Sequence, residues 1–280
     1  MNNRKQEISQ ALYHVSNTFG QSAKDTILYE NHGKHVYEID MILSHMEESS
    51  RLLDLGGGLG VNLLCIRQLL GSSVELHLVD RFDEYTEHNR MGTHNVGLEL
   101  MEKAGISITN QDFWTNPNLP YTGNYFDIVT CFDVVEHLPG HPLTMLREIS
   151  RIINRRGIFI LGGPNSVSLT KRAKLLFGRH PYSPFSLWCS DQYFSHYREY
   201  SQDEYRFLLN TSGFQHIKTT LTPEPSATRA RTRFFNGKRH GLSTITLSFY
   251  CIYILEKLFT PLREGIYCSA RKLERHSIRN

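Results

Sequence analysis

The residues best placed to do chemistry are the run Asp54-Leu55-Gly56-Gly57-Gly58-Leu59-Gly60 and, twenty positions further on, Asp80. Glycines in such a run take the positive φ of a tight turn and let backbone approach a ligand that a Cβ would exclude. A helix starting near Gly60 presents unpaired N–H groups to a carboxylate or phosphate. Asp80, closing the next apolar run, sits where dinucleotide folds hold a ribose. His137 and His196 are the candidates for taking a proton near neutral pH. No spacing of histidine, cysteine or carboxylate demands a metal, and none is expected. A glycine-rich turn alone also serves shape, so its chemistry depends on what surrounds it.

The surrounding pattern alternates strands and helices. Arg51–Leu55 reads as a short buried strand, and Val61–Leu70 as a helix with Leu63, Leu64, Ile66, Leu69 and Leu70 on its apolar faces. Val74–Asp80 is a second strand, followed by a polar helical region to Lys103. Ile106–Thr109 alternates as a third strand, and Phe126–Cys131 gives a fourth. Pro142–Asn154 is expected to be a helix, and Ile158–Leu161 a buried central strand. Ser201-Gln202-Asp203-Glu204 reads as a helix capping box, leading to a strand from Phe214 to Thr220. This alternation calls for an α/β doubly wound parallel sheet with right-handed crossovers. Residues 1–48 read as an amphipathic helical cap striped by Tyr37, Ile39, Ile42 and Leu43, with His32 and His35 flanking Gly33 either as lining of the cleft or, as is commoner for histidines in a polar stretch, at the surface.

The acid before the turn, and a third glycine only two residues after the second, argue against a dinucleotide site. The pattern resembles motif I of the class I S-adenosylmethionine-dependent methyltransferases, usually Asp-x-Gly-x-Gly-x-Gly. Three more segments resemble that family in the right order. They are Asp80 after strand two, Gln111-Asp112-Phe113 after strand three, and Leu119-Pro120 to Phe126-Asp127 running into Phe132-Asp133-Val134-Val135-Glu136-His137-Leu138. Gly265–Lys272 resembles the family's last strand.

The resemblance implies a Rossmann-like, seven-stranded sheet with the last strand antiparallel, and S-adenosyl-L-methionine as cofactor. It places the methionine portion at Asp54, Gly56, Gly57, Gly58 and Gly60, the ribose at Asp80 with Arg81 beside it, and the adenine at Asp112 and Phe113. Phe132 and Asp133 would face the methionine portion and the acceptor. His137 and, second to it, His196 would be the base. The chain is read as one methyltransferase domain over residues 1–280. It carries an N-terminal helical cap (1–48), a lid or acceptor insertion (164–200) and a basic–apolar insertion before the last strand (223–264). The segment Pro164-Asn165 through His196-Tyr197-Arg198-Glu199-Tyr200-Ser201 resembles, more loosely, methyltransferases of surface-glycan pathways.

Charge is unevenly spread. Residues 223–280 hold eleven Lys/Arg against four Asp/Glu, so this end carries +7 within a total of +3. Arg229, Arg231, Arg233, Lys238 and Arg239 are followed by the apolar stretch Leu242–Phe259, with no charge from Gly241 to Leu255. At fifteen uncharged residues it falls short of the ~20 that span a bilayer. It reads either as an interfacial helix, giving an anionic membrane surface through 229–259 as a partner, or as core beside the last strand. Five scattered cysteines and an N-terminus without an apolar run point to a cytoplasmic protein, peripheral at the inner membrane face in the first reading. The acceptor expected is a small molecule, a sugar or lipid-linked glycan hydroxyl or amine. The alternatives are a quinone or lipid methyltransferase and a non-catalytic cofactor-binding module. No nucleic acid is expected, since no Asn-Pro-Pro-Tyr-type motif occurs.

Overall fold

Leu52, Leu53 and Leu55 are fully buried because the strand that carries them has helices on both of its faces. That strand is β1, Arg51–Leu55. In the computed structural model, which describes residues 3–82, 94–182, 185–189, 196–222 and 254–273, six further strands join it. They are β2 (Glu75–Asp80), β3 (Ser107–Asn110), β4 (Phe126–Phe132), β5 (Ile153–Pro164), β6 (Phe214–Thr222) and β7 (Gly265–Lys272). Their order is β3-β2-β1-β4-β5-β7-β6. The first five are parallel, and β7 runs antiparallel between β5 and β6. This is the Rossmann-like sheet the sequence implied. The order reverses between β1 and β4, so the crevice beyond their carboxyl ends is where such a sheet accommodates a ligand.

Strand alternation divides the core. Leu53, Leu55, Val129, Cys131, Phe159 and Leu161 pack on one face with the helices Leu143–Ile152 and Gln202–Thr211. Leu52, Ile128, Ile158 and Ile160 pack on the other face with Asn3–Ser16, His32–Leu43 and Val61–Leu70. Ser201 caps Gln202–Thr211 as expected: its hydroxyl accepts from the Glu204 N–H, and the Glu204 carboxylate accepts from the Ser201 N–H. Cys65, Cys131 and Cys268 are buried free thiols.

Two local expectations are corrected. The helix expected over Pro142–Asn154 ends at Ile152, and Ile153 instead opens β5 opposite Phe126. Ile153 is buried in either arrangement, so its hydrophobicity could not decide between them. His35 is not a surface residue. Its Nδ1 lies 2.9 Å from Asn62 Oδ1, the Asn62 amide donates to Glu38 Oε2 at 2.9 Å, and the Tyr267 hydroxyl donates to Glu38 Oε1 at 2.9 Å. A carboxylate as buried as Glu38 needs such donors. The network ties the N-terminal cap to both the motif I helix and β7.

The 164–200 insertion is pinned at its root. The Asn165 N–H donates to the Glu264 carbonyl at 2.6 Å, and Asn165 bridges Tyr200. From the helix Leu169–Leu176, buried Lys171 pairs with Glu199 and, at 2.8 Å, with Glu264. The far end of that helix presents exposed Leu175, Leu176 and Phe177. The basic cluster Arg229–Arg239 and the apolar run to residue 253 lie outside the described residues. At the described end of that run, Leu258 and Phe259 are exposed. Among the described residues, no helix is long and apolar enough to cross a membrane.

Candidate functional site

β1 delivers the glycine turn to the reversal point of the sheet. A Cβ at Gly56 would strike Val134, at Gly57 the Asp54 carboxylate and Leu78, and at Gly60 Met101. These three glycines are required by the protein's own packing. Gly58 differs, because a Cβ there would meet nothing within 4 Å although its φ is +55°. It therefore faces open space on the side where a ligand would lie. Beyond it Gly60, at φ +69°, caps the helix Val61–Leu70, with no side chain covering the first N–H groups. The Gly58 N–H donates to Asp80 Oδ2 at 2.7 Å, and the Arg81 N–H donates to Asp80 Oδ1 at 2.7 Å. The carboxylate at the end of β2 is thus locked to the turn.

Asp54 lies beneath the turn, buried, with Oδ1 accepting from the Thr130 hydroxyl at 2.6 Å. Burial pushes its carboxyl from the ordinary 3.8 up to about 7, against the lowering effect of Thr130 and with help from the charges of Glu38 and Asp80. A carboxyl raised in the folded state binds a proton that the unfolded chain has lost. Its contribution is complete below pH 3.8 and is lost as pH climbs to about 7. Asp54→Asn removes this dependence. The stability of the wild type relative to the variant should fall by roughly 2–4 kcal/mol between acid and neutral pH. Urea unfolding of both proteins across that range reads it, and a constant difference would refute a buried protonated Asp54.

Just beyond β3, Asp112 Oδ1 accepts from the Trp114 N–H at 2.8 Å, and Arg81 donates to Oδ2 at 3.2 Å. Arg81 and Asp112 thereby link the ends of β2 and β3. Phe113 is only 8% exposed and packs within the core beside Leu55 and Val79, so little of its ring is left for a ligand. Its neighbour Trp114, not singled out from the sequence, is 41% exposed.

At the end of β4, Phe132 meets Tyr267 edge-on at 5.8 Å. Asp133 has φ +51°, its N–H donates to the Gly162 carbonyl at 2.9 Å, and its carboxylate pairs with Lys34. Lys34 reaches it from the helix His32–Leu43 of the N-terminal cap. Nothing in its sequence surroundings marked it, since its partner lies far along the chain.

The next turn, Val135–His137, carries the second half of the site. The Glu136 carbonyl accepts from the Tyr197 N–H at 2.7 Å and the Arg198 N–H at 3.3 Å. This clamp brings His196 to His137, with ring centroids 4.7 Å apart and planes at 78°. His196 Nδ1 lies 2.8 Å from Glu199 Oε1, a carboxylate held in turn by Lys171. The Glu136 side chain is completely buried and neither of its oxygens has a hydrogen-bond partner. That burial drives its carboxyl up to about 7. The sequence nominated His137 and His196 separately, and the fold makes them neighbours. It did not single out Glu136 or Glu199 for roles at the site.

Comparison with known proteins bears on this arrangement. Residues 37–219 match a family model described as a methyltransferase domain. Phosphoethanolamine N-methyltransferase 2 of Haemonchus contortus, solved with S-adenosyl-L-methionine, is similar in structure at TM-score 0.55 and 16% identity over 86% of this chain. The match spans 53% of that chain, about half its length. A SAM-dependent methyltransferase from Thermotoga maritima aligns at TM-score 0.54 and 16% identity, covering 93% of this chain and 99% of the other. One from Archaeoglobus fulgidus aligns at TM-score 0.52 and 16% identity, covering 84% and 92%. At these identities the likeness is one of fold. No curated protein matches the sequence.

Proposed function

The chain belongs to the class I S-adenosylmethionine-dependent methyltransferases, and from that premise we propose that it methylates a hydroxyl of a small sugar or lipid-linked glycan acceptor. The observation that carries the hydroxyl is the pair His137 and His196, oriented by Glu199 and set just beyond β4. An amine is nucleophilic once neutral, but an alcohol, with a pKa far above neutrality, needs its proton taken as it reacts. Glu199 accepts from His196 Nδ1 and so leaves Nε2 as the basic nitrogen of that ring.

In this reading the cofactor supplies a methyl group already activated by its sulfonium. The open face of Gly58 and the bare N–H groups of the helix behind it suit the methionine carboxylate. Asp80 takes the ribose, Asp112 the adenine amine with Arg81 steadying it, and the buried Phe113 backs the adenine site from the core. Asp54 underlies the methionine portion. Phe132 and Asp133 line the passage to the acceptor. The chain's task is then alignment in a dry site, with His137 receiving the acceptor proton and His196 supporting it.

A lipid carrier is favoured by the insertion's tip. Arg172, Lys174 and Arg179 lie close in sequence to exposed Leu176 and Phe177, which suits an anionic, partly apolar acceptor surface. The same apolar tip supports a quinone or lipid acceptor as a second reading. The purified protein, incubated with methyl-labelled cofactor and separate glycolipid, quinone and phosphoethanolamine fractions, should label an oxygen in the glycolipid fraction. Label confined to an amine, or to the quinone fraction, would overturn the glycan assignment.

A further inference from the structure

The carboxylate of Glu136 has no place in a proton relay between two histidines, yet it is the most buried group of the three. One ligand atom each from Glu136, His137 and His196 lies within 4.8 Å of the other two, a candidate metal cluster among the described residues. We propose that these three side chains bind a divalent transition-metal ion, zinc above others, on the acceptor side of the cleft.

Four observations converge on this. First, the Glu136 carboxylate is fully buried and its oxygens are without hydrogen-bond partners, a condition that a cation relieves and that apolar packing does not. The Tyr205 hydroxyl, also buried and without a partner, borders the same spot, since a Cβ at Gly163 would strike it and lie 3.3 Å from Glu136 Oε2. Second, His196 donates its Nδ1 proton to Glu199, the outer contact that fixes a metal-binding imidazole with Nε2 ready to coordinate. Third, Glu199 is itself held by Lys171, a cation it shares with Glu264, whereas Glu136 makes no ion pair among the described residues. Fourth, the clamp from the Glu136 carbonyl to the Tyr197 and Arg198 N–H groups sets the loop of His196 against the turn of Glu136 and His137.

Two imidazoles and one carboxylate favour zinc or a neighbouring first-row ion over magnesium or calcium, which prefer all-oxygen sites. Donors about 2.1 Å from an ion stand roughly 3.4 Å apart in a tetrahedral site, so the cluster closes by rotation of the two half-exposed histidines. Three protein ligands leave a fourth position open. The role of the ion there rests on the hydroxyl acceptor proposed above, with the ion activating that hydroxyl in place of a free His137 base, whereas the site itself does not rest on it. A hydroxyl oxygen taking the open position loses its proton to bulk water. The O–H bond breaks, the electron pair stays on the metal-bound oxygen, and nothing is oxidised or reduced.

Protein stripped with chelator and gel-filtered is titrated calorimetrically with zinc chloride and, separately, manganese chloride, and bound metal is counted by elemental analysis. Close to one ion per chain is expected. Glu136→Gln and His196→Ala should weaken binding by 100-fold or more, and Glu199→Gln by roughly 10–100-fold. Each variant is also titrated with S-adenosylhomocysteine, whose unchanged affinity shows that the fold and the cofactor site are intact. A wild type that takes up no ion at millimolar concentration overturns the proposal. So does uptake equal in wild type, Glu136→Gln and His196→Ala, which would place the metal on other histidines. Failure of S-adenosylhomocysteine to bind the wild type would instead count against the cofactor site, leaving the metal result to stand alone.

Discussion

Gly58→Val is expected to abolish binding of S-adenosylhomocysteine while leaving the protein folded. The two halves of this expectation come from one observation. A Cβ at Gly58 meets no protein atom within 4 Å, so the added side chain has room in the free protein. The room it takes is the space assigned to the cofactor. The φ of +55° adds strain for a β-branched residue, and thermal unfolding should report it as a modest loss. Gly60→Val is the contrasting variant, because its side chain runs into Met101 and should cost far more stability. Asp80→Ala gives a graded result. Removing the carboxylate deletes the two backbone contacts that lock the turn and the bonds expected to ribose, for about 1.5–3 kcal/mol of cofactor affinity. Calorimetric titration of all three variants measures this. Wild-type affinity in both Gly58→Val and Asp80→Ala would sink the placement of the cofactor at this turn.

The sheet and the glycine turn were legible in the sequence because their signals are local. Asp54 to Gly60 is one strand, one turn and one helix start, and Asp80 ends the strand beside it. β7 was recognisable from its own residues even though a long segment separates it from β6. The meeting of His137 and His196 was less legible, because it is assembled by long-range contacts. His137 and His196 carried individual signals, but their meeting depends on backbone hydrogen bonds from Tyr197 and Arg198 to Glu136. Lys34 reaches Asp133 from the N-terminal cap, and His35 is drawn inward by Asn62 and Glu38. Periodicity marks which face of a helix is apolar, but not which polar residue on it will find a partner across the fold. Glu136 shows the same limit. In sequence it is one acid beside a histidine, and only its complete burial without a hydrogen-bond partner sets it apart.

His137→Ala should lower turnover about 100-fold or more with cofactor affinity nearly unchanged. The imidazole stands beyond the end of β4, in the turn that follows Asp133, edge-on to His196. Its loss therefore falls on the acceptor's proton, or on the ion that replaces that proton, and not on holding the cofactor. A fall in kcat with KM for the cofactor preserved is the signature of an interaction made in the transition state. His196→Ala separates the roles within the pair. If His137 accepts the proton directly, His196→Ala should cost less than His137→Ala, and adding it to His137→Ala should cost little more, since residues acting as a unit are not additive. If the two hold one ion, each single variant should cost about as much as the double. Steady-state kinetics of the three variants with the labelled acceptor, beside calorimetry for the cofactor, decide this. Turnover within a few-fold of wild type in His137→Ala would remove His137 from the chemistry and leave the proton to His196.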